Sequence, residues 1–600
     1  MTVLGISAYY HDSAAAIISN GKVLFAAQEE RFTRIKNDAS FPEESIKFCL
    51  QEAGIAVSEL DAIAFYDKPF LKFERLLETY YAFAPRGFRS FSKAMPVWLK
   101  EKLFIKQFIR KKLKELNGGH KIPNLKIVFP EHHLSHIASA FYTSPFSKAA
   151  FLTVDGVGEW TTTAYGHACG KKGIEILGEL EFPDSLGLFY SSFTYFLGFE
   201  VNKGEYKMMG LAPYSSKNSE RVLRFMEIIS AKLIDIREDG SIKLNQVYFE
   251  YPYGLRMVDS KKWEQLFELK KREPEEAITQ IHADLALAVQ KVLELALLRM
   301  LQHIKKETGA NYLCIAGGVA LNCVANSVLY EQQLFEDIYI QPAAGDAGAA
   351  IGAALVTNYL HSDLPFSGLT KNFDNYLGPK FSEIDIERVL RKHKCQFEYI
   401  DSDEEVYEKT VNYIVEKKVV GWFSGRTEFG PRALGNRSIL ADATDPEMQS
   451  KLNRKIKFRE SFRPFAPAVC EEDYDAYFKP GKRSHYMLFT NQLKDSLLQE
   501  LPENFDSFSL EEKRKFPKSQ LPAVTHADLS ARVQVVKKNM NPKFWNLLQK
   551  YKKVTGTGVL INTSFNVMDE PIVNTPEDAY RCFMNSGIDV LVMENFLITK

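Results

Sequence analysis

The chain has 600 residues and a mass of 68.4 kDa, a length that predicts more than one domain. Hydrophobic residues make up 45% of it and charged residues 25%, which excludes a disordered or fibrous protein. The 76 Lys and Arg balance the 76 Asp and Glu, which argues against a protein that holds nucleic acid through bulk charge.

The 7 Cys form no CxxC pair, which disfavours a disulfide scaffold or a structural zinc site and favours a reducing compartment. The N-terminus lacks the pattern of a signal peptide, and no apolar run approaches the length of a membrane span. We therefore expect a cytoplasmic protein with neither a membrane partner nor a nucleic-acid partner.

Two segments of the first half predict the same unit, which runs strand, polar turn, strand, hairpin, strand. The predicted strands are Val3–Ser7, Ala14–Ser19 and Lys22–Gln28 in one segment, and Ala149–Val154, Thr161–His167 and Ile174–Leu180 in the other. An internal repeat of this size predicts two similar lobes, and a ligand cleft between them.

The predicted helices of this half are Phe41–Ala53, Val97–Leu116 and Glu275–Glu307, the last of which ends at Gly309. The basic helix Val97–Leu116 is either a partner surface or a solvated face over a buried stripe. Weak periodicity over 366–385 predicts a linker between a domain of residues 1–365 and a domain of residues 386–600.

The second half predicts alternating helices and strands. The helices are Glu404–Lys418 and Thr575–Asn585, and the strands are Val419–Ser424, Val559–Thr563 and Asp589–Thr599. The polar, Pro-containing segment Lys479–Gln520 predicts a long surface excursion.

Two histidines carry the first chemical signal. His132 and His136 are four residues apart in a predicted helix, so both imidazoles lie on one face, as in a helical pair of metal ligands. Asp155 ends a strand in a Gly-rich turn, and Asp346 lies among small residues that indicate a close backbone approach. Two His and two carboxylates suit a divalent transition metal such as iron, manganese or zinc. The alternative is a helix-capping His beside a core His, with Asp346 as a helix cap.

A glycine pair predicts an anion site in the first half. Gly317, Gly318 and Asn322 follow the predicted strand Tyr312–Ile315 and open a helix. Glycines at a helix N-terminus expose N–H groups that favour anions, and Asn322 is a candidate ligand of a ribose or a base. A tight strand–helix turn explains the glycines equally well.

Cations and aromatic residues alternate between 457 and 463. The alternation predicts a strand with Lys457, Arg459 and Arg463 on one face, where an anion would relieve their repulsion. Candidates for the same phosphate-type pocket are the Gly/Arg-rich loop 425–437 and the polar clusters 531–534 and 562–566. Surface ion pairing is the alternative.

Taken together, these motifs resemble O-carbamoyltransferases of the NodU and antibiotic-tailoring type, over nearly the whole chain and in the family's order. The motifs are GISAYYHDSAAAI (5–17), HHLSH (132–136), VDGVGEW (154–160), NKGEYKMMGLAPY (202–214), AGGVALN (316–322), GDAG (345–348), GRTEFGPRALGNRSILAD (425–442), KFRESFRPFAP (457–467), THADLSARVQ (525–534) and NTSFN (562–566). Ser135 and the presence of the second half set the chain apart from tRNA-modifying relatives.

The resemblance implies an α/β protein with a duplicated actin/sugar-kinase-like (ASKHA) domain followed by a YrdC-like α/β domain. It implies that carbamoyl phosphate and ATP form carbamoyl adenylate in the second domain. The first domain would then transfer the carbamoyl group to a hydroxyl of a small acceptor, a natural product or a sugar. The implied cofactors are a divalent transition metal, with Fe(II) favoured over Mn or Zn, and ATP with Mg as co-substrate.

The resemblance also assigns roles to single residues. His11 and Asp12 match the catalytic acceptor end, with His11 as the candidate general base. The matched metal ligands are His132, His136, Asp155 and Asp346, and the matched nucleotide-binding residues are Gly317, Gly318, Asn322 and Lys203. The matched carbamoyl phosphate and ATP ligands are Arg432, Lys457, Arg459, Arg463, Arg532, Asn562 and Ser564.

Two other functions stay open at this point. A tRNA threonylcarbamoyl-type enzyme would need a large basic surface, which the neutral charge balance disfavours. A non-catalytic actin-like nucleotide-binding scaffold would leave Lys457, Arg459 and Arg463 unexplained. The acceptor, the metal and the oligomeric state, including a homodimer, are also open.

Overall fold

The computed structural model of the protein describes residues 1–100, 102–120, 122, 125–170, 173–360, 365–369 and 372–600. The chain divides into two compact units. Unit 1 holds Met1–Ala26 and Ala39–Phe373, and unit 2 holds Ala27–Asp38 and Asp374–Lys600. Residues 370 and 371 of the predicted linker lie outside the described residues, and the domain limits 1–365 and 386–600 stay a prediction. Among the described residues, no helix is both long enough and apolar enough to cross a bilayer.

The strands of unit 1 form two five-stranded sheets and one two-stranded sheet. They are β1 (Thr2–Ser7), β2 (Ala14–Ser19), β3 (Lys22–Gln28), β4 (Ala62–Phe65), β5 (Lys126–Val128), β6 (Lys148–Val154), β7 (Thr161–Cys169), β8 (Gly173–Glu181), β9 (Ile234–Ile236), β10 (Ile242–Leu244), β11 (Tyr312–Ala316) and β12 (Asp337–Ile340). The large sheets have the orders β3-β2-β1-β4-β5 and β8-β7-β6-β11-β12. In each sheet the central strand, β1 or β6, pairs antiparallel with the next strand in sequence, β2 or β7. On its other side it pairs parallel with β4 or β11, which in turn pairs parallel with β5 or β12. The predicted duplicated, actin/sugar-kinase-like α/β fold is confirmed.

The helices of the first 360 residues lie mostly between these strands. They are α1 (Glu30–Thr33), α2 (Glu43–Ala53), α3 (Pro69–Phe83), α4 (Phe88–Lys100), α5 (Ile105–Leu116), α6 (His132–Phe141), α7 (Leu186–Phe196), α8 (Glu205–Leu211), α9 (Glu220–Ile228), α10 (Ser260–Phe267), α11 (Gln280–Thr308), α12 (Cys323–Glu331) and α13 (Asp346–Leu360). As predicted, α11 ends at Gly309, which is left-handed with φ +59°. The single helix predicted over Val97–Leu116 is wrong, because α4 and α5 divide that range, and residue 101 lies outside the described part.

The parallel strands of both large sheets end at positions that carry the predicted site residues. His11 and Asp12 follow β1, α6 follows β5, Asp155 follows β6 and Gly317 follows β11. The carboxyl ends of parallel strands are the edge at which open α/β sheets bind ligands. The fold therefore places the candidate residues of unit 1 on the edges best suited to a site.

Close packing of α13 brings Asp346 to that edge. A Cβ on Gly352 of α13 would lie 1.7 Å from the carbonyl oxygen of Ser135 in α6, and one on Gly5 of β1 would lie 1.9 Å from the carbonyl oxygen of Ala350. Only backbone without side chains fits at these contacts. The small residues around Asp346 thus serve the approach of α13 to α6 and β1.

We expect Gly352→Ala to lower the free energy of unfolding by ~1–3 kcal/mol, because the added methyl group pushes α13 away from α6. Gly345→Ala is the matched control, since no heavy atom lies within 4 Å of its added Cβ, and we expect less than ~0.5 kcal/mol. Urea unfolding measures both changes. Equal stability of the two variants would contradict this account of the packing.

Unit 2 is built on one mixed sheet of eight strands, with the order β13-β22-β21-β14-β15-β20-β16-β19. Its strands and those of a small two-stranded sheet are β13 (Glu398–Tyr399), β14 (Val420–Phe423), β15 (Arg437–Asp442), β16 (Ala466–Cys470), β17 (Asn491–Gln492), β18 (Ser530–Ala531), β19 (Gln534–Val536), β20 (Val559–Ser564), β21 (Val590–Met593) and β22 (Phe596–Thr599). Its helices after residue 374 are α14 (Glu383–Lys392), α15 (Asp403–Val415), α16 (Met448–Leu452), α17 (Tyr474–Tyr477), α18 (Leu510–Lys515), α19 (Pro542–Thr555) and α20 (Pro576–Met584). Apolar clusters pack against both faces of the sheet.

Three predictions for unit 2 differ from the structure. The strand predicted over Asp589–Thr599 is a hairpin of β21 and β22 that turns at Glu594, which has φ +49°. The segment Lys479–Gln520 is a surface excursion only in part, since Met487, Leu488 and Phe489 are buried while most of residues 494–516 are exposed or half-buried. The strand predicted over 457–463 is wrong as well, as described below.

Candidate functional site

Four side chains of unit 1 converge on one point. His132 Nε2 and His136 Nε2 are 3.1 Å apart, and each lies 3.0 Å from Asp155 Oδ2. Asp346 Oδ1 lies 3.7 Å and 3.6 Å from the same two nitrogens. The four ligand atoms lie within 4.8 Å of one another, and three of the four residues are buried. The structure therefore brings together all four residues that the sequence singled out.

The spacing of these atoms fits a shared cation. Ligands about 2.1 Å from one divalent ion, at angles of about 90–110°, lie about 3.0–3.4 Å from one another. The Nδ1 atoms of His132 and His136 are buried without a hydrogen-bond partner among the described residues, so both rings engage only through Nε2. Two imidazoles and two carboxylates are the donor set of a transition metal or zinc.

Electrostatics in the cluster show the same need for positive charge. Burial alone would lower the pKa of His136, but hydrogen bonds to Asp155 and Asp346 outweigh it and raise that pKa to about 9. Burial would raise the pKa of Asp346, but the charge of His11 and the hydrogen bond with His136 hold that pKa down to about 2. Without an ion, protons on imidazole balance the two carboxylates, and a divalent ion would replace those protons.

His11 and Asp12 lie in the turn after β1, next to the cluster. His11 Nδ1 is 2.9 Å from Asp12 Oδ2, which leaves Nε2 as the other ring atom for proton exchange. Burial opposes protonation, but Asp346 and Asp12 outweigh it and raise the pKa of His11 to about 9. A cation bound to Asp346 would remove the largest of these raising charges and bring His11 toward its usual range.

The predicted nucleotide-binding residues are in part occupied by protein contacts. Gly317 has φ +93° and a Cβ there would lie 2.2 Å from the carbonyl oxygen of Val154, while Gly318 N–H donates to Asp155 Oδ1 at 3.2 Å. Asn322 caps α12 and pairs with Gln290 through both ends of its amide. A ribose would therefore have to share the Gly318 N–H and the Asn322 side chain with these protein partners. The role of Asn322 as a nucleotide ligand stays a prediction.

Lys203 lies on a turn before α8. Its ammonium group pairs with Glu200 at 2.7 Å, and its side chain is 39% exposed. This exposure leaves its role as a nucleotide ligand a prediction.

The cation cluster of unit 2 exists, although not on a strand. Residues Asn453–Lys457 form a π-helical turn, and Phe458 is left-handed with φ +47°. That geometry turns Lys457 inward toward the end of β20, where it binds the carbonyl oxygen of Ser564 and, at 2.8 Å, Asn566 Oδ1. Alternation over seven residues mimics a strand, but no strand forms here, and Lys457 is held by backbone and side-chain acceptors of Ser564 and Asn566.

Lys457 is buried in positive surroundings. Burial, with the charges of Arg459 and Arg463, holds the pKa of Lys457 well below its usual range. Arg459 donates to Asn453 Oδ1 at 2.7 Å and stacks over the ring of Phe465 at 4.6 Å. Two arginines next to a buried, destabilised ammonium group form a cluster of positive charge that favours an anion.

The remaining predicted ligands of unit 2 lie around β20. Asn562, on β20, donates to Gln534 Oε1 at 2.6 Å, and its buried Oδ1 has no partner among the residues that the structure describes. Ser564 Oγ donates to Asn566 Oδ1 at 2.7 Å. Arg432 is half-buried beside Ala433, whose carbonyl accepts from Asn562 at 3.4 Å, and Arg532 lies half-buried near His526.

Sequence comparison decides the family. Family models described as the carbamoyltransferase N-terminus and the carbamoyltransferase C-terminus match residues 2–355 and 411–600. The chain belongs to the carbamoyltransferase family. The resemblance drawn from the motifs is confirmed, and the chain is a transferase.

Relatives match this carbamoyltransferase over nearly its full length. An uncharacterized protein of Synechocystis sp. is 50% identical, covering 100% of this chain and 96% of that protein. Nodulation protein NolNO of Sinorhizobium fredii is 36% identical, over 99% and 79% of the two chains. Nodulation protein U of Rhizobium tropici is 28% identical, over 94% and 91%.

Two solved structures each resemble about three fifths of the chain. HypF of T. kodakarensis is 14% identical with a TM-score of 0.30, over 60% of this chain and 48% of that one. Component A of the Acidaminococcus fermentans (R)-2-hydroxyglutaryl-CoA dehydratase is 14% identical with a TM-score of 0.31, over 59% and 97%.

Several residues beside the four-donor cluster were missed in the sequence. Tyr66 follows β4 and its hydroxyl lies 3.5 Å from Asp346 Oδ2, while Lys72 pairs with Asp67 at 2.5 Å and lies over the Tyr66 ring. Glu159 accepts from the N–H of His132 at 3.1 Å, which fixes the start of α6. Tyr66 and Asp67 directly follow the buried parallel strand β4, and this position is the sequence feature that could have identified them as site residues.

We expect phosphate-type anions to bind unit 2 with proton uptake. An anion beside Lys457 raises a pKa that burial and two arginines hold down, so binding adds a proton and affinity falls as pH rises. Calorimetry with pyrophosphate in buffers of different ionisation enthalpy measures the number of protons taken up on binding. Lys457→Met should take up fewer protons than the wild type, because it lacks the amine that gains one. Identical proton uptake by the wild type and this variant would contradict the expectation.

Proposed function

We propose that the protein is an ATP-dependent O-carbamoyltransferase with two separate reaction sites. In unit 2, water and carbamoyl phosphate give carbamate and phosphate, and the carbamate oxygen attacks the α-phosphorus of ATP. Carbamoyl adenylate forms and pyrophosphate leaves. In unit 1, an acceptor hydroxyl attacks the carbamoyl carbon, AMP leaves, and the hydroxyl proton passes to a base.

The four-donor cluster at the strand ends of unit 1 carries this proposal. His132, His136, Asp155 and Asp346 would hold a divalent metal, which supplies Lewis-acid stabilisation of the charge on the adenylate. His11, oriented by Asp12, is positioned as the base for the acceptor hydroxyl. Tyr66 and Lys72 border the cluster and supply polar contacts there.

The cation cluster of unit 2 supports the activation step. Carbamoyl phosphate carries about two negative charges and ATP about four, so their binding needs clustered Lys and Arg. Lys457, Arg459 and Arg463 supply that charge, and the amide of Asn562 offers a buried acceptor without a partner among the described residues. We also propose that this half of the chain is a YrdC-like domain.

Product analysis tests the activation step. Protein incubated with Mg²⁺, ATP and carbamoyl phosphate, but without an acceptor, should release pyrophosphate and form carbamoyl adenylate or AMP. Omitting carbamoyl phosphate should stop pyrophosphate release. Formation of ADP without pyrophosphate would overturn the proposal. A mass-spectrometric screen of hydroxyl compounds for a carbamoyl mass shift then identifies the acceptor.

We expect about one divalent ion per chain, removable by a chelator and restored by Fe(II), Mn(II) or Zn(II). His136→Ala should lower metal affinity at least about 100-fold, because it removes one of four ligands. Elemental analysis of the dialysed protein measures the content, and thermal unfolding measures the ion's stabilisation. Full metal content in His136→Ala would contradict the assigned ligand set.

A further inference from the structure

Helices α3, α4 and α5 form an insert between two adjacent parallel strands, β4 and β5, and its charge differs from that of the rest of the chain. Residues 86–116 contain ten Lys or Arg and two Glu, in a chain whose overall net charge is zero. Of the cations whose side chains are described, seven are exposed: Arg86, Arg89, Lys93, Lys106, Arg110, Lys111 and Lys114. The insert is thus a strongly basic part of a chain that has no net charge overall.

The same insert exposes large apolar side chains. Tyr81 is 88% exposed, Phe88 74%, Leu99 52% and Phe104 52%. Several large apolar side chains exposed close together on one insert are typical of a surface that another body covers.

An apolar pocket of about 420 Å³ opens between the end of α3 and the start of α4. Its lining includes Leu77, Tyr81, Pro85, Phe88 and Phe91. A pocket of this size and composition takes an apolar chain or ring. Two basic residues lie at or next to the pocket, since Arg86 lines it and Arg89 directly follows the lining residue Phe88 at the start of α4.

The inner side of the insert packs against the rest of unit 1 and is distinct from the exposed face. Ile109 and Leu113 of α5 are fully buried, and the Phe83 ring lies 4.8 Å from that of Tyr253. A Cβ on Gly87 would lie 2.6 Å from the carbonyl oxygen of Tyr253, so the α3–α4 turn is held against the body of unit 1. The outer apolar residues are therefore a second face and not a misplaced core.

We infer that this face, formed by α4, α5 and the α3–α4 turn, binds the surface of a bilayer that contains anionic lipid, with an apolar chain in the pocket. Lys and Arg beside exposed aromatic and aliphatic residues are the composition of helices that lie in a membrane interface. This inference stands apart from the proposed function. It departs from the sequence-based expectation of no membrane partner.

Two other occupants fit the face less well. A second copy in a twofold contact would bring two such faces together, and their like charges would repel. Nucleic acid would use the cations and stack on Phe88, but Leu99 and Val97, which are 52% and 44% exposed, offer no ring for stacking. The exposed side of α3 carries Glu74 and Glu78, so the contact excludes most of that helix.

Vesicle co-sedimentation of the full chain tests the inference. At low salt, we expect binding to phosphatidylcholine vesicles with about 30% phosphatidylglycerol at least about tenfold tighter than to pure phosphatidylcholine. Phe88→Ser with Leu99→Ser should weaken it about tenfold or more. The matched control is Val247→Ser with Leu255→Ser, two residues that are each 62% exposed elsewhere in unit 1, and it should bind within twofold of the wild type.

Three results would overturn the inference. The first is no preference for anionic vesicles, and the second is equal binding by the Phe88/Leu99 and control variants. The third is binding to tRNA or self-association that the Phe88/Leu99 variant weakens while vesicle binding is absent. Wild-type-like thermal unfolding of both double variants ensures that a loss of binding reflects the surface and not the fold.

Discussion

His136→Ala should abolish carbamoyl transfer while carbamoyl adenylate still forms. The substitution removes one of two imidazoles that meet at 3.1 Å beside Asp155. Lewis-acid stabilisation is worth several kcal/mol, so we expect transfer to fall about 10³-fold. Pyrophosphate release from ATP and carbamoyl phosphate should stay within about threefold of the wild type, because unit 2 has its own cation cluster. Transfer is measured with the acceptor selected by the mass-spectrometric screen.

A histidine on the same unit provides the control for this variant. His167 lies on β7, and its partly exposed side chain pairs with Glu175, outside the cluster. His167→Ala should retain both activities and the full metal content. If His136→Ala lost adenylate formation to the same degree as transfer, the separation into two sites would be wrong.

Lys457→Met should show the opposite pattern. Its ammonium group is buried beside Arg459 and Arg463, and Met fills a similar volume without the charge. Removing a preorganised cation from a phosphoryl-transfer site costs about 10²–10³ in rate, so pyrophosphate release should fall by that factor. Metal content should be unchanged, since the four metal-type ligands lie in unit 1.

Lys455→Met is the matched control, because Lys455 is exposed two residues away on the same turn. It should keep pyrophosphate release within about twofold of the wild type. Thermal unfolding of both variants separates a catalytic loss from a folding defect. Equal loss of activity in Lys455→Met would contradict an assigned role for the buried ammonium group.

The parts of the fold that follow local periodicity could be predicted. The His132/His136 pair follows from helical spacing, and Gly309 ends its helix as expected. Asp155 and Asp346 could be nominated because one ends a strand and the other lies among small residues. Their convergence required the tertiary packing at Gly352, where α13 meets α6 without a side chain between them.

The parts that failed depend on contacts distant in sequence. Lys457 alternates with aromatic residues like a strand residue, but its partners are Ser564 and Asn566, more than a hundred residues away. Tyr66 and Asp67 belong to no recognisable motif, and their place beside the cluster follows only from the edge of the sheet at which β4 ends. The segment Lys479–Gln520 is polar in composition yet buries Met487, because burial there comes from the core of unit 2 and not from local pattern.

The most direct test supplies carbamoyl adenylate itself to the two inactive variants, together with metal and the selected acceptor. If one unit makes the adenylate and the other consumes it, Lys457→Met should carbamoylate the acceptor at close to the wild-type rate from supplied adenylate. His136→Ala should remain about 10³-fold slower under the same conditions. Failure of the adenylate to rescue folded, metal-loaded Lys457→Met, or its rescue of His136→Ala, would contradict the account.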